Sequence, residues 1–397
     1  MKNKIKLFIC TLIFTCNATV FGEPYLPKSE SEILEKLPAK FGISFSSELS
    51  KLHKKLSNEP NNLEKTIDFA KYCIELGRSE SDPRYIGYAE AALKNWLKKP
   101  NPPSDVLVLE AIIKQYNHNF KSSLEYLSKA LNTDPQNSQA WITKAQIHTT
   151  LGEYEEAKKS CAHLLRLTNQ LVSVSCISNA ASLNGEAEKS YMLLNQILSD
   201  AKELPLISSN EKLWGLTLLS DIAARLGNND SAETHFKEAL KLNPDDNYLL
   251  AVYSDFLLGQ KKYKEVINLL NDRTQLDALL LRLAVAEKAV NSPNLETHIN
   301  DLRTRFADSG LREESIHKRE EAMFLLKLLN NPKKALVLAK KNWTDQKEPI
   351  DAKILLECAI AANARSSAKP VLGFIEKNRL EDIQLLELKK KLERLNK

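Results

Sequence analysis

Glycine is scarce in this chain, with 11 residues in 397. An all-β protein of this length needs many tight turns at positive φ, so the scarcity argues for helices. Charge of one sign is almost missing: 56 Lys and Arg face 51 Asp and Glu, a net +5. Three of those positives, Lys2, Lys4 and Lys6, lie in a leader expected to be removed, which leaves +2. That excess is too small for the concentrated basic face that nucleic acid requires. The C-terminal basic run (Lys389, Lys390, Lys391, Arg394, Lys397) has Asp382, Glu387 and Glu393 interleaved and reads as a solvated helix face. Absent as well are GxGxxG, GxxxxGK[ST], HExxH, GxSxG and an EF-hand loop. The seven histidines are scattered, and Cys161 and His163, two apart on one helix, point to different faces. No metal, cofactor or enzymatic chemistry is therefore expected.

No run after residue 22 reaches the roughly 18 uninterrupted apolar residues of a membrane-crossing helix. The first 22 residues do have the form of a secretory signal: basic Lys2, Lys4 and Lys6, an apolar run from Leu7 to Phe14, and Val20-Phe21-Gly22 before Glu23. Phe14 and Thr15 fit a lipid-attachment site at Cys16 poorly, so cleavage after Gly22 is expected. An exported protein, most simply periplasmic, follows. Its mature part keeps Cys73, Cys161, Cys176 and Cys358. Each sits in an apolar helical pattern and reads as a buried free thiol; if a bridge forms, Cys161 and Cys176 are the pair.

What the chain has in abundance is a repeat. The segment from Ser104 and the one from Ser138, 34 residues later, each contain two helical patterns joined by a turn, and a third copy begins at Leu213. At matching positions stand Trp141, Ala145, Gly152, Tyr154 and Ala157, then Leu216, Ser220, Gly227, Ala232, Phe236, Ala239 and Pro244. The first copy offers Leu107, Ala111, Ala130 and Pro135, with residues 117–119 where glycine would sit. Small residues let two antiparallel helices approach, large ones fill the gap to the next hairpin, and glycine ends the first helix. These residues resemble the tetratricopeptide repeat family.

The resemblance implies an all-α, right-handed solenoid of stacked helix-turn-helix repeats. We expect a capping segment over 23–60, with a helix starting at a Ser29–Glu32 capping box and another over 46–56. A repeat array over 61–271 follows, then divergent helical repeats over 272–397. Their helix pairs fall at 275–290 with 295–306, 314–329 with 333–345, and 351–363 with 367–378. A helix over 381–396, with a leucine stripe including Leu385, Leu388 and Leu392, closes the array. In this family the first helix of each repeat, helix A, lines the concave face. That places Ile112, Tyr116, Ile142, Gln146, Asn179, Trp214, Asp221, Arg225, Tyr248 and Asp255 on the binding surface. Some members clamp a partner's terminal carboxylate with Lys, Asn and Arg. Here Asn179 and Arg225 have no lysine beside them, and Asp221 and Asp255 would repel an acidic tail. The expected function is a non-enzymatic scaffold that binds a peptide or helix of another envelope protein. The alternative is a permanent structural subunit of an envelope assembly or secretion complex.

Overall fold

The computed structural model describes residues 45–394, apart from 81, 201–206 and 312–317. The leader and the helix expected to start at Ser29 lie outside the described residues. Contacts divide the chain into a unit of residues 1–50 and a unit of residues 51–397. Of the first, only the opening of α1 (Phe45–Asn58) is described.

In the second unit the described residues form helices and no strands. Nine hairpins follow one another: α2 (Leu63–Glu80) with α3 (Pro83–Leu97), α4 (Ser104–Tyr116) with α5 (Phe120–Thr133), and α6 (Ser138–Thr150) with α7 (Tyr154–Leu164). Next come α8 (Gln170–Ser182) with α9 (Ala187–Asp200), α10 (Ser209–Leu226) with α11 (Asn229–Leu242), and α12 (Asn247–Gly259) with α13 (Tyr263–Leu270). The last three are α14 (Asp277–Val290) with α15 (Leu295–Leu311), α16 (Lys318–Met323) with α17 (Pro332–Asp345), and α18 (Pro349–Ala361) with α19 (Lys369–Asn378). A single helix, α20 (Ile383–Arg394), follows. The fold is the expected right-handed α-solenoid.

Local chemistry explains the boundaries. Asn137, Asn169 and Asp246 each accept an amide hydrogen bond at the start of α6, α8 and α12, satisfying a donor that no helical carbonyl can reach. Ser208 and Glu211 form a reciprocal capping box on α10. Pro83, Pro332 and Pro349 occupy first-turn positions, where the missing N–H costs nothing. Within hairpins the small residues meet as the repeat pattern requires: Ala111, Ala130, Ala157, Ser220, Ala232 and Ala239 are fully buried. Ser123 of α5 approaches close enough for its hydroxyl to donate to the Ala111 carbonyl at 2.6 Å. Between hairpins, Phe236 of α11 stacks on Tyr253 of α12 at 4.9 Å, joining one repeat to the next. In the eighth hairpin α16 continues into a wider π-turn, Phe324–Leu328. The Lys288 ammonium donates to the carbonyls of Lys327 and Leu328 there.

The array does not stay open. Its C-terminal third returns across the A–B turns of the middle repeats. The Lys347 amide donates to the Thr150 carbonyl at 2.8 Å. The Glu381 carboxylate accepts from the Ala187 amide at 2.7 Å, capping the start of α9 from 194 residues away. Gly152 holds φ +75°, and a Cβ there would lie 2.6 Å from the Phe374 ring. Gly227, at φ +85°, leaves space that the Ile383 side chain approaches. Glycine is thus needed twice over at the turns, for the left-handed backbone and for the passage of the returning chain. As expected, α20 buries Leu385, Leu388 and Leu392. It packs on α18 and also reaches α10.

The cysteines need one correction. Cys161 and Cys176 are bridged, not free. Consecutive helices α7 and α8 bring their Cα atoms to 5.5 Å, within disulfide reach. Cys73 and Cys358 are free and buried, and burial pushes both thiols up to about 12, which leaves them inert at neutral pH. The bridge closes a loop of 15 residues. Replacing both bridged cysteines by serine should therefore lower the unfolding free energy by about 3 kcal/mol in urea titrations. An unchanged midpoint would mean that helix packing alone fixes α7 against α8.

Candidate functional site: the inner face of the array

The structure sorts the expected binding residues into three groups. Ile142 of α6 and Trp214 of α10 are half-buried and flank one apolar cluster with Ala145, Leu164 and the Cys161–Cys176 bridge. Gln146, one turn along α6 from Ile142, is exposed, and Asn179 of α8 is half-buried. Ile112 is buried at 9% exposure, and Tyr116 at the end of α4 is half-buried. The third group is ionic. Arg225 is only 5% exposed; it donates to Asp221 at 3.0 Å and to both the carbonyl and the hydroxyl of Ser182 on α8. Asp255 of α12 accepts two hydrogen bonds from Arg282 on α14. The two acids expected to give this face its charge are thus each held by an arginine.

The returning C-terminal third brings a second ionic cluster to the middle repeats. Arg319 of α16 donates to both oxygens of Asp351 (2.6 and 3.0 Å), to Gln346 at 2.9 Å and to Glu348. Asn342 donates to Asp351 at 2.7 Å. The cluster then reaches the middle repeats: Gln346 bonds the His118 ring at 3.0 Å, and the Thr150 hydroxyl donates to Glu348 at 3.4 Å. Burial opposes the Arg319 charge, but Asp351 and Glu348 outweigh it and hold the guanidinium well above its usual value. Burial raises Asp351 against the pull of Arg319, and Glu348 beside it adds to the rise. One guanidinium between two carboxylates is well compensated, while the carboxylates are not.

Tyr248, in the first turn of α12, is 69% exposed and yet surrounded: loss of bulk solvent, then the charges of Asp221 and Glu348, push its hydroxyl up. Farther along, a cleft of about 350 Å³ opens between α12, α14, the π-turn and α18, lined by Asp255, Leu258, Tyr263, Lys288, Lys327 and Lys353. Among the described residues there is no His, Cys, Asp and Glu grouping suited to a metal ion. His148 is buried at 9% exposure against Glu153 at 2.7 Å. His163 stacks on Trp141 with ring centroids 3.7 Å apart.

Arg282, Arg319, Glu348 and Asp351 were not identified from sequence. Arg282 could have been found by sliding α14 onto α12 in repeat register. Arg319 meets Glu348 and Asp351 in the same way, from α16 to the start of α18 in the next hairpin. The bonds of Glu348 to Thr150 and of Gln346 to His118 come through the fold-back, which leaves no local signal.

Models of the tetratricopeptide repeat match residues 116–170 and 215–246, the hairpins in which α5, α6, α7, α10 and α11 lie. The chain carries tetratricopeptide repeats at its centre. No curated protein matches it. Among solved structures it is similar to the Cut9–Hcn1 hetero-tetramer of the APC/C, with 16% identity over 79% of this chain and 52% of that one, TM-score 0.40. It is similar also to a Rap protein complexed with Competence and Sporulation Factor, with 13% identity over 90% and 96%, TM-score 0.47. A tetratricopeptide repeat protein from Parabacteroides merdae gives 14% identity over 83% and 99%, TM-score 0.34. The chain thus spans about half the length of the first.

Asp382 offers a test of the enclosed electrostatics. It caps α20 by accepting from the amides of Gln384 and Leu385. Burial raises its pKa in spite of those bonds and of nearby Arg225. With the folded value above the unfolded one, its stabilising effect is complete in acid and is lost as pH rises through the folded value. Asp382→Asn keeps the cap and removes the charge. Its melting temperature should match the wild type in acid and exceed it at neutral pH; parallel curves would show that Asp382 is well solvated.

Proposed function

We propose that this chain is a non-catalytic scaffold of the cell envelope, exported to the periplasm, that holds a segment of a partner protein against the inner faces of its A helices. Tetratricopeptide scaffolds generally mediate protein–protein interaction and are non-catalytic. The observation that carries the reading is the inner surface itself. Ile142 and Trp214 present partly exposed apolar area on α6 and α10, beside the free amide of Gln146. A rigid aromatic flanked by an amide suits the anchoring of an extended peptide or a helix.

Two features support the envelope assignment. The first 22 residues have the pattern of a cleavable leader, and the bridge between Cys161 and Cys176 suits an oxidising compartment. No helix among the described residues is long and apolar enough to cross a membrane.

Affinity capture of the tagged mature chain from its own cell envelope, with mass spectrometry, should return a reproducible protein partner. Capture with Gln146→Arg, an exposed change that leaves the fold intact, and with Trp214→Ala should reduce its recovery about tenfold. Equal recovery by both variants, with unaltered melting curves, would move the partner off this face.

A further inference from the structure

The cleft between α12, α14, the π-turn and α18 holds two positive charges with no negative partner. Lys288 and Lys353 both line it. The Lys288 ammonium donates to the carbonyls of Lys327 (2.7 Å) and Leu328 (3.0 Å), and the Lys353 ammonium to the amide oxygen of Gln384 at 2.6 Å. Among the described residues neither meets a carboxylate. The two acids of the cleft are already matched: Asp255 accepts twice from Arg282, and Glu357 pairs with Lys327 at 2.7 Å. An ammonium has three N–H donors. Lys288 therefore keeps one and Lys353 two, and the neutral oxygens hold both side chains in place without cancelling their charge.

Between these charges the lining is largely apolar. Leu258, Val285 and Ile350 are half-buried there, with Met323 among them. The volume, about 350 Å³, is at the small end of ligand cavities. At the ~30 Å³ that a water molecule takes up in the liquid, it holds roughly a dozen non-hydrogen atoms. One wall is the π-turn Phe324–Leu328, a rare helix form that is frequent at functional sites. The carbonyls that hold Lys288 belong to that turn. Surplus positive charge beside an apolar floor selects an anion with a hydrocarbon stem, and disfavours both a cation and a wholly polar anion.

We propose that the cleft binds a small amphiphilic carboxylate, an acyl chain of about eight to ten carbons. The open N–H groups of Lys288 and Lys353 take the carboxylate, and the chain lies along Leu258, Val285 and Ile350. The site belongs to other hairpins than Ile142 and Trp214, so it stands or falls apart from the scaffold reading.

The test uses the full mature chain labelled with 13C at its methionine methyls. Met323 lines the cleft, while Met192 is 56% exposed on α9 and serves as the control. Sodium octanoate, kept below micelle-forming concentrations, should shift the Met323 signal saturably and leave Met192 in place. Octanol and octylammonium should bind about tenfold more weakly or worse, and acetate should not register. Lys288→Met and Lys353→Met keep the side-chain stem and remove the charge; each should weaken octanoate about tenfold. The Met323 signal of the unliganded variants, unmoved in at least Lys353→Met, shows that the cleft is intact. Equal binding of octanol and octanoate, a Met192 shift as large as that of Met323, octanoate binding indifferent to both substitutions, or no response to octanoate would each overturn the proposal. A response to the capped pentapeptide Ala-Ala-Glu-Ala-Ala without one to octanoate would overturn it too, and assign the cleft to an acidic side chain of a protein partner.

Discussion

A helical hairpin in a solenoid touches its two neighbours and nothing else. This chain breaks that rule where Glu348 and Glu381 meet the turns of α6–α7 and α8–α9, and the rest of the architecture depends on the exception. The returning segment can pass because Gly152 and Gly227 carry no side chain into its path. Once it has passed, the returning segment lies against the turns of the middle repeats. The residues at this crossing are drawn from the middle and from the C-terminal third of the chain.

Across that closure run hydrogen bonds, and the ionic cluster around Arg319 lies within the returning segment itself. A buried guanidinium with two carboxylates adds little net stability, because desolvation offsets most of the attraction. What such a cluster supplies is geometry, since Arg319 is satisfied only when Gln346, Glu348 and Asp351 all converge on it. Displacing any one of them leaves a hydrogen bond of Arg319 unmade, so the returning segment holds one shape. The apolar contribution at the crossing is local, with Phe374 set edge-on between Tyr154 and Trp343.

Most of the fold was legible in the sequence because its rules are short-ranged. Alanine spacing, turn glycines and prolines act within one hairpin, so the helix pairs could be placed even after the repeat pattern faded beyond residue 274. The left-handed turn at His118, where the next three repeats use Gly152, Gly185 and Gly227, lies within the stretch from 117 to 119 that reads as a glycine substitute. The site was less legible. The A-helix positions could be enumerated from the repeat, but whether Asp255 faces a partner or an arginine depends on α14, in the next repeat. The contacts of Glu348 with Thr150 and of Gln346 with His118 span far greater separations, and no periodicity records them. The bridge was named as a pair but not as a fact, since spacing alone does not report how closely two helices pack.

An open solenoid can gain or lose a repeat and simply become longer or shorter. This one cannot. Removing the hairpin α8–α9, or inserting another beside it, would carry every later turn one step along the superhelix. Lys347 would then arrive opposite the wrong turn, and Glu381 would find no helix start to cap. The number of repeats is thus a fixed dimension of the molecule, as strand number is in a barrel, and in its descendants change should accumulate by substitution within hairpins rather than by their duplication.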